Sequence, residues 1–348
     1  MRVTRVAVRF TNRPPAKEPI RDALQTLSGG GSVDIEVFAD DGLVGRGASS
    51  FGRIDGAPKT LATLIETELA PLVVGRDPFL VGQIMEDLKR ETEYQGTFGL
   101  VTFGISALDV ALWDLVGKAC GVPCYRLWGA YRDRLPAYAM VGWLNYDLDE
   151  LRRHCAEAVR AGFGGVKMKV GAPSLEEDLK RVEAVRKEVG SEIALMTDAN
   201  QALTVAEALR RGEALAEWNI TWFEEPIPAH DLEGYIELTS RLSVPIATGE
   251  NLYGRAQFAP FLSRRACRFI QPDLRRAGGP TEIRAIGALA SAFGVSCASH
   301  GGGPEALSLL MCAPTAAWLE SGIPSRPNAR PIIEHGLALA PTAPGFGW

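Results

Sequence analysis

The sequence predicts an α/β fold: a TIM-type barrel preceded by a smaller α+β domain. Three observations carry this. After about residue 135, eight short apolar runs with polar ends alternate with amphipathic helical stretches. Such alternation builds a parallel sheet, and eight strands is the count of a barrel. Before that, residues 1 to about 50 have the period of strands and residues 57–121 the period of helices, so sheet and helices are segregated. Finally, 348 residues are enough for two cores. A doubly wound sheet shows the same alternation, and the count of eight favours the barrel.

Taken in order, Val3 to Phe10 and Val33 to Phe38 alternate as strands, and Ala39-Asp-Asp-Gly42 is a hairpin turn before Leu43 to Gly47. Leu61, Leu64, Ile65 and Leu69, then Ile84 and Leu88, then Ile105, Leu108, Leu112 and Leu115 mark helices. Gly121-Val-Pro-Cys124 and Gly129-Ala-Tyr-Arg-Asp-Arg134 end the last of them. The eight runs are Leu135–Val141, Gly165–Lys169, Ile193–Asp198, Thr221–Glu225, Pro245–Glu250, Arg268–Asp273, Val295–His300 and Ala317–Glu320. Leu175–Val189 and Thr204–Glu217 are two of the helices between them.

Composition narrows the function. Hydrophobic residues make up 46% and charged residues 23%, ordinary globular values, and the net charge of −5 comes without a basic block. Neither a nucleic acid nor an anionic membrane is an expected partner; a small molecule is. The opening MRVTRVAVRF alternates Arg with apolar residues, unlike an export signal, and the apolar stretch Leu307–Leu319 is too short and too interrupted to cross a bilayer. Six cysteines without metal-type spacing fit reduced, buried packing residues and a cytoplasmic location.

In a barrel the C-terminal strand ends converge on the catalytic face. Here those ends carry Lys167-Met-Lys169, Asp198-Ala-Asn200, Glu224-Glu225, Glu250-Asn251, Asp273, His300 and Glu320. Asp198, Glu224 and Glu250 recur every 26 residues, one strand–helix unit per step. A single acid at such a junction commonly caps the next helix. Three in register would repel one another unless a hard cation sits between them, Mg²⁺ first and Mn²⁺ next. Lys167 and Lys169 share one side of a strand and lower each other's pKa, which suits one of them to act as a base. Asp273 can orient His300 as a second acid or base on the facing part of the barrel, whereas His154, His230 and His335 read as structural. The acids outnumber the lysines by one, so an anionic substrate needs the metal. The arrangement suits a carboxylate substrate whose oxygens meet the metal while a base removes its α-proton, the metal and nearby cations holding the resulting enediolate.

With these motifs in view, the chain resembles the enolase superfamily, mandelate racemase subgroup (the mandelate racemase/muconate lactonizing enzyme family). Ser106-Ala-Leu-Asp-Val-Ala-Leu-Trp-Asp-Leu-Val-Gly-Lys118 with Gly121-Val-Pro is similar to the signature closing the family's first domain, and KMK, DAN, EEP, GEN, QPD and SHG follow in family order. The resemblance implies a (β/α)7β barrel over 131–330, an N-terminal α+β capping domain over 1–130, and a short tail over 331–348 that returns to the capping domain. It implies metal ligands Asp198, Glu224 and Glu250, base Lys169 with Lys167 beside it, and His300 paired to Asp273. Glu320 and Asn200 are implied to bind the substrate. Two loops near Thr11–Gly31 and Ser49–Gly56 would set specificity. Arg13, Lys17, Arg21 and Arg53 within them are either substrate contacts or solvated charges. A homo-oligomer is expected. The implied activity is Mg²⁺-dependent dehydration of an aldonic or aldaric acid to a 2-keto-3-deoxy acid, a step of carbohydrate catabolism. The alternatives are a racemase or epimerase of a 2-hydroxy acid, a lactone cycloisomerase, a hydrolase using metal-bound water, and a non-catalytic family member.

Overall fold

The computed structural model describes residues 1–323 and 331–347. Three antiparallel strands open the chain: β1 (Val3–Arg13), β2 (Gly30–Ala39) and β3 (Val44–Phe51), in the order β1-β2-β3. The β1–β2 ladder runs on through Thr11, Asn12 and Arg13, so the first expected loop begins later, at residue 14. The hairpin stands where expected: Ala39 N–H donates to Leu43 O at 3.0 Å. Helices α1 (Ala57–Leu64), α2 (Val81–Glu91) and α3 (Leu100–Ala119) cover one face of this sheet.

α3 is the most apolar long element. It is a 20-residue helix with mean hydropathy 1.6 over 18 residues, long and apolar enough to cross a membrane, yet 83% of that window is buried inside the protein. Its close packing explains why: a Cβ on Gly45 or Gly47 of β3 would stand 2.0 Å from Ala111 O or 2.1 Å from Ala107 O. Helix backbone lies directly on strand backbone there.

The barrel strands are β4 (Arg134–Gly142), β5 (Gly165–Lys169), β6 (Ala194–Asp198), β7 (Ile220–Glu224), β8 (Ile246–Thr248), β9 (Phe269–Ile270), β10 (Ser296–Ala298) and β11 (Ala316–Ser321). Each pairs in parallel with the next, and β11 pairs back to β4 through Leu319–Ala137 and Glu320–Tyr138, which closes the barrel. Helices α4 (Leu148–Arg160), α5 (Leu175–Val189), α6 (Val205–Leu215), α7 (Leu232–Arg241), α8 (Gly254–Ser263), α9 (Leu274–Ala277), α10 (Pro280–Phe293) and α11 (Pro304–Cys312) lie between the strands. Asp147, Ser174, Thr204 and Asp231 cap α4 to α7, each accepting a backbone N–H of the first turn.

Two further strands, β12 (Ile333–Glu334) and β13 (Leu337–Leu339), follow, and β13 pairs antiparallel with β4. The chain then reaches the first domain: Phe346 N–H donates to Asp114 Oδ1 at 3.0 Å and Cys124 N–H to Gly345 O at 2.8 Å. Residue 330, at the expected barrel–tail boundary, and Trp348 lie outside the described residues.

Side-chain parity does the sorting. On β5, Val166 and Met168 face the outer helices, and Tyr138, Met196, Trp222, Ala247 and Ala298 form a separate inner cluster. Two residues above Met196 and Trp222, on the same inward face, stand Asp198 and Glu224. The cysteines depart from expectation in part: Cys124, Cys155, Cys267 and Cys297 are buried, Cys312 is half-buried, and Cys120 is exposed beyond the end of α3.

Candidate active site

Register sets the height of the site. Lys169 is paired with Asp198 and Asp198 with Glu224, so three adjacent strands present them at one level. Glu250 follows β8 through Gly249. There φ is 128° and a Cβ would stand 2.8 Å from Phe258 and 3.1 Å from Gln271 N, so a glycine is required. Oxygens of Asp198, Glu224 and Glu250 come within 4.8 Å of one another, all three residues being buried. Just past the strand ends, Asn200 (φ 43°), Gln201 (φ 66°) and Glu225 (φ 35°) take left-handed conformations, which cost energy for residues with a Cβ and concentrate at functional sites.

The donor set fits a hard divalent cation: three buried carboxylates, all oxygen. Asn200 Oδ1 and Glu225 Oε1 are buried acceptors without a hydrogen-bond partner among the described residues. Burial, and then the charges of Asp198 and Glu250, raise Glu224 to about 7 against the pull of Lys167. Carboxylates so crowded call for positive charge.

The lysines differ from the expected mutual depression. Burial lowers both, and Lys167 also lowers Lys169, but Asp198 together with Glu250 and Glu224 outweighs these effects and leaves Lys169 above its ordinary value. Lys169 Nζ is ion-paired with Asp198 Oδ2. Lys167 is held harder: its Nζ lies 2.8 Å and 2.9 Å from the two oxygens of Glu224 and 2.5 Å from Glu320 Oε2. Those two carboxylates overcome burial and hold it well above the usual lysine range.

On the other side, His300 Nδ1 donates to Asp273 Oδ2 at 2.8 Å, which turns Nε2 toward Glu250 Oε2 at 3.1 Å. Burial lowers the imidazole, but Glu250 and Asp273 raise it to about 9. Glu320 accepts from Gly301 N–H at 2.9 Å and from the Tyr138 hydroxyl at 2.8 Å. Asn200 is buried, its N–H donating to Asp198 Oδ1 at 2.8 Å. All nine expected site residues thus stand at the C-terminal end of the barrel.

Of the expected loop cations, Arg13 Nη2 donates to Phe51 O at 2.9 Å and Arg53 Nη1 to Gln25 Oε1 at 3.2 Å, while the Arg21 and Lys17 side chains are exposed. Four contributors escaped the sequence reading. Trp222 Nε1 and Gln271 Nε2 donate to Glu224 Oε2 at 3.0 Å and 2.8 Å, Tyr138 supports Glu320, and Arg275 forks onto Asp273. Parity was the available signal for Trp222, which stands two residues before inward-facing Glu224, and Tyr138 shares the inner cluster with it. An apolar cavity of about 340 Å³ opens between α10 and α11, lined by Ile283, Gly287, Leu309 and Leu310, with Ser299 and His300 also on its wall.

Comparison with known proteins agrees over the whole length. Residues 4–129 match the model of the mandelate racemase / muconate lactonizing enzyme N-terminal domain, and residues 150–348 match the enolase C-terminal domain-like model. The chain is 34% identical over 329 residues to an arabinonate dehydratase of Saccharolobus solfataricus, covering 91% of this chain and 87% of that one. A racemase of Streptomyces coelicolor, solved with bound magnesium, superposes with a TM-score of 0.93 at 30% identity over 99% of this chain and 96% of its own. An L-talarate dehydratase of a Polaromonas species, solved with Mg and L-glucarate, does so with a TM-score of 0.92 at 33% identity, covering 99% and 94%. With a closed barrel behind an N-terminal α+β domain and both domain models matched, the chain belongs to the mandelate racemase / muconate lactonizing enzyme family of the enolase superfamily.

Proposed function

We propose that this enzyme dehydrates an acid sugar, an aldonic or aldaric acid, to a 2-keto-3-deoxy acid, with Mg²⁺ (or Mn²⁺) held by Asp198, Glu224 and Glu250. The observation that carries the reading is the bracketing of the carboxylate cluster: Lys169 at its Asp198 end, His300 at its Glu250 end. When bound, the cation would balance two of the three carboxylate charges, polarise the substrate carboxylate and offset the pull that keeps Lys169 protonated. Lys169 or His300 takes the proton from C2, and the electrons of that bond move toward the carboxylate. As they return, the C3–O bond breaks and protonated His300 supplies the proton with which the hydroxyl leaves as water. Asp273 keeps the His300 Nδ1 proton in place so that Nε2 does this work. Lys167, held between Glu224 and Glu320, contributes fixed positive charge rather than a base. Asn200 and Glu320 are the proposed substrate contacts, the first through its unpartnered Oδ1.

Residues 1–130 would serve as the cap, 131–330 as the catalytic barrel and 331–348 as the tail joining them, in a cytoplasmic homo-oligomer. A racemase or epimerase is the second reading, favoured by the same observation, since two bases on opposite sides are what inversion requires. Proton NMR in D₂O with Mg²⁺ and a panel of aldonic, aldaric and simple 2-hydroxy acids separates the two. New 2-keto-3-deoxy signals support dehydration, and loss of the α-proton signal without a new product supports epimerisation. Silence across the panel with Mg²⁺ bound overturns both.

A further inference from the structure

Asp273 serves two groups at once. Its Oδ1 accepts the N–H groups of Arg275 and Arg276, each at 2.9 Å, which caps α9. Its Oδ2, the oxygen that His300 uses, accepts from Arg275 Nη2 at 2.8 Å, while Arg275 Nε reaches Oδ1 at 3.2 Å. The cap of α9 does not need this fork, because the backbone donors already satisfy Oδ1. What the fork adds is a second, fixed support for Oδ2. The remaining Arg275 nitrogen, Nη1, leaves the barrel: it donates to Ser50 O at 2.5 Å, across 225 residues of sequence. Ser50 lies at the end of β3, next to the Gly52–Gly56 segment of the cap.

The opposite face of α9 is also held by the cap, through Ser106 Oγ on Leu274 O at 2.6 Å. The turn bearing Asp273 is thus clamped between the rigid helix α3 and the end of β3. The Lys169 side has a separate contact with the cap. Leu144 N–H donates to Arg21 O at 2.8 Å and Arg21 N–H to Asn145 Oδ1 at 2.8 Å, and a Cβ on Gly171, two residues past Lys169, would stand 3.0 Å from Ala23 Cβ. The cap therefore addresses the two sides of the site through two different segments.

We propose that Arg275 is a positioning residue that links the end of β3 to the His300 side of the site, fixing Asp273 Oδ2, and through it the imidazole, only while Ser50 O is in place. This rests on the reading of His300 as the second base, and its test does not depend on turnover. In Mg²⁺-loaded protein labelled with ¹⁵N-histidine, which has only four imidazoles, His300→Asn identifies the Nδ1–H signal by removing it. Arg275→Met should move or broaden that signal and speed amide exchange across residues 49–56 at least tenfold, with exchange in Leu100–Ala119 unchanged. Arg275→Lys keeps the charge but not the fork and should give intermediate values for both, which keeps the test open if the Met variant does not fold. A wild-type His300 signal, or wild-type exchange across 49–56, in these variants overturns the link. If His300→Asn keeps full turnover on the panel acids, the assignment of His300 as acid and base fails instead, and the Arg275 result stands by itself.

Discussion

Lys167 and Lys169 stand two residues apart on one strand, and their neighbours give them different work. Two carboxylates grip Lys167; Lys169 has one, Asp198, which is itself a candidate metal ligand. Lys169→Ala and His300→Asn should each lower kcat by at least about 10³-fold, roughly 4 kcal/mol of barrier, with circular dichroism and melting temperature near wild type. Full turnover by Lys169→Ala on every substrate would remove it as a base. The sequence made these roles legible because inward parity and strand-end position are periodic properties. It hid Tyr138 and Trp222 because an aromatic inside an apolar run reads as core, and they are both core and hydrogen-bond donors to the site acids. Arg275 was hidden for another reason: a charged residue in a turn reads as solvated until the chain 225 residues earlier is brought against it.

Elements depend on contacts that no local pattern shows. Gly47→Ala would press a methyl group into the carbonyl of Ala107 and should destabilise the cap by about 3 kcal/mol, read by urea unfolding. The docking of α3 on α10 also carries a pH signature. Thr281 N–H and Oγ1 donate to Asp109, each at 2.7 Å, and burial raises this carboxyl to about 7 despite them. In the unfolded chain it ionises near pH 4, so between about pH 4 and pH 7 the folded protein keeps a proton that the unfolded chain has lost. Stability should therefore fall as pH rises through that window and level off above it. Asp109→Asn retains hydrogen bonding to Thr281 without the titration. From pH 5 to pH 8 the wild type should lose on the order of 2 kcal/mol more than the variant, and equal losses would exclude Asp109 as the source. The existence of the eight barrel strands was legible, whereas their length and the two tail strands β12 and β13 were not. The run expected as Arg268–Asp273 forms a strand only at Phe269–Ile270, with Asp273 returning in an isolated bridge to His300, because Pro272 lacks an N–H and Asp273 turns to cap α9. Likewise β8 stops at Thr248, where Gly249 turns the backbone to aim Glu250.

At the scale of the molecule, two cores, one in the cap and one between barrel and helices, are joined by α3 and by the tail. Ligand linkage should act on the barrel. Mg²⁺ at about 100 times its Kd should add about 2.7 kcal/mol and raise the melting temperature. Glu224→Gln should abolish that rise along with activity, and a variant that keeps both would argue against the proposed metal site. The order in which β4 gains its neighbours sets a demand on synthesis. β5 follows within some twenty residues, but β11 and β13, which complete the pairing of β4, begin at Ala316 and Leu337. At about 5–20 residues per second, one edge of β4 therefore waits roughly 10–35 s for its partner. During that interval the nascent chain carries an open strand edge in an apolar run, so the interval in which the protein is most exposed to aggregation ends only when the last barrel strand emerges.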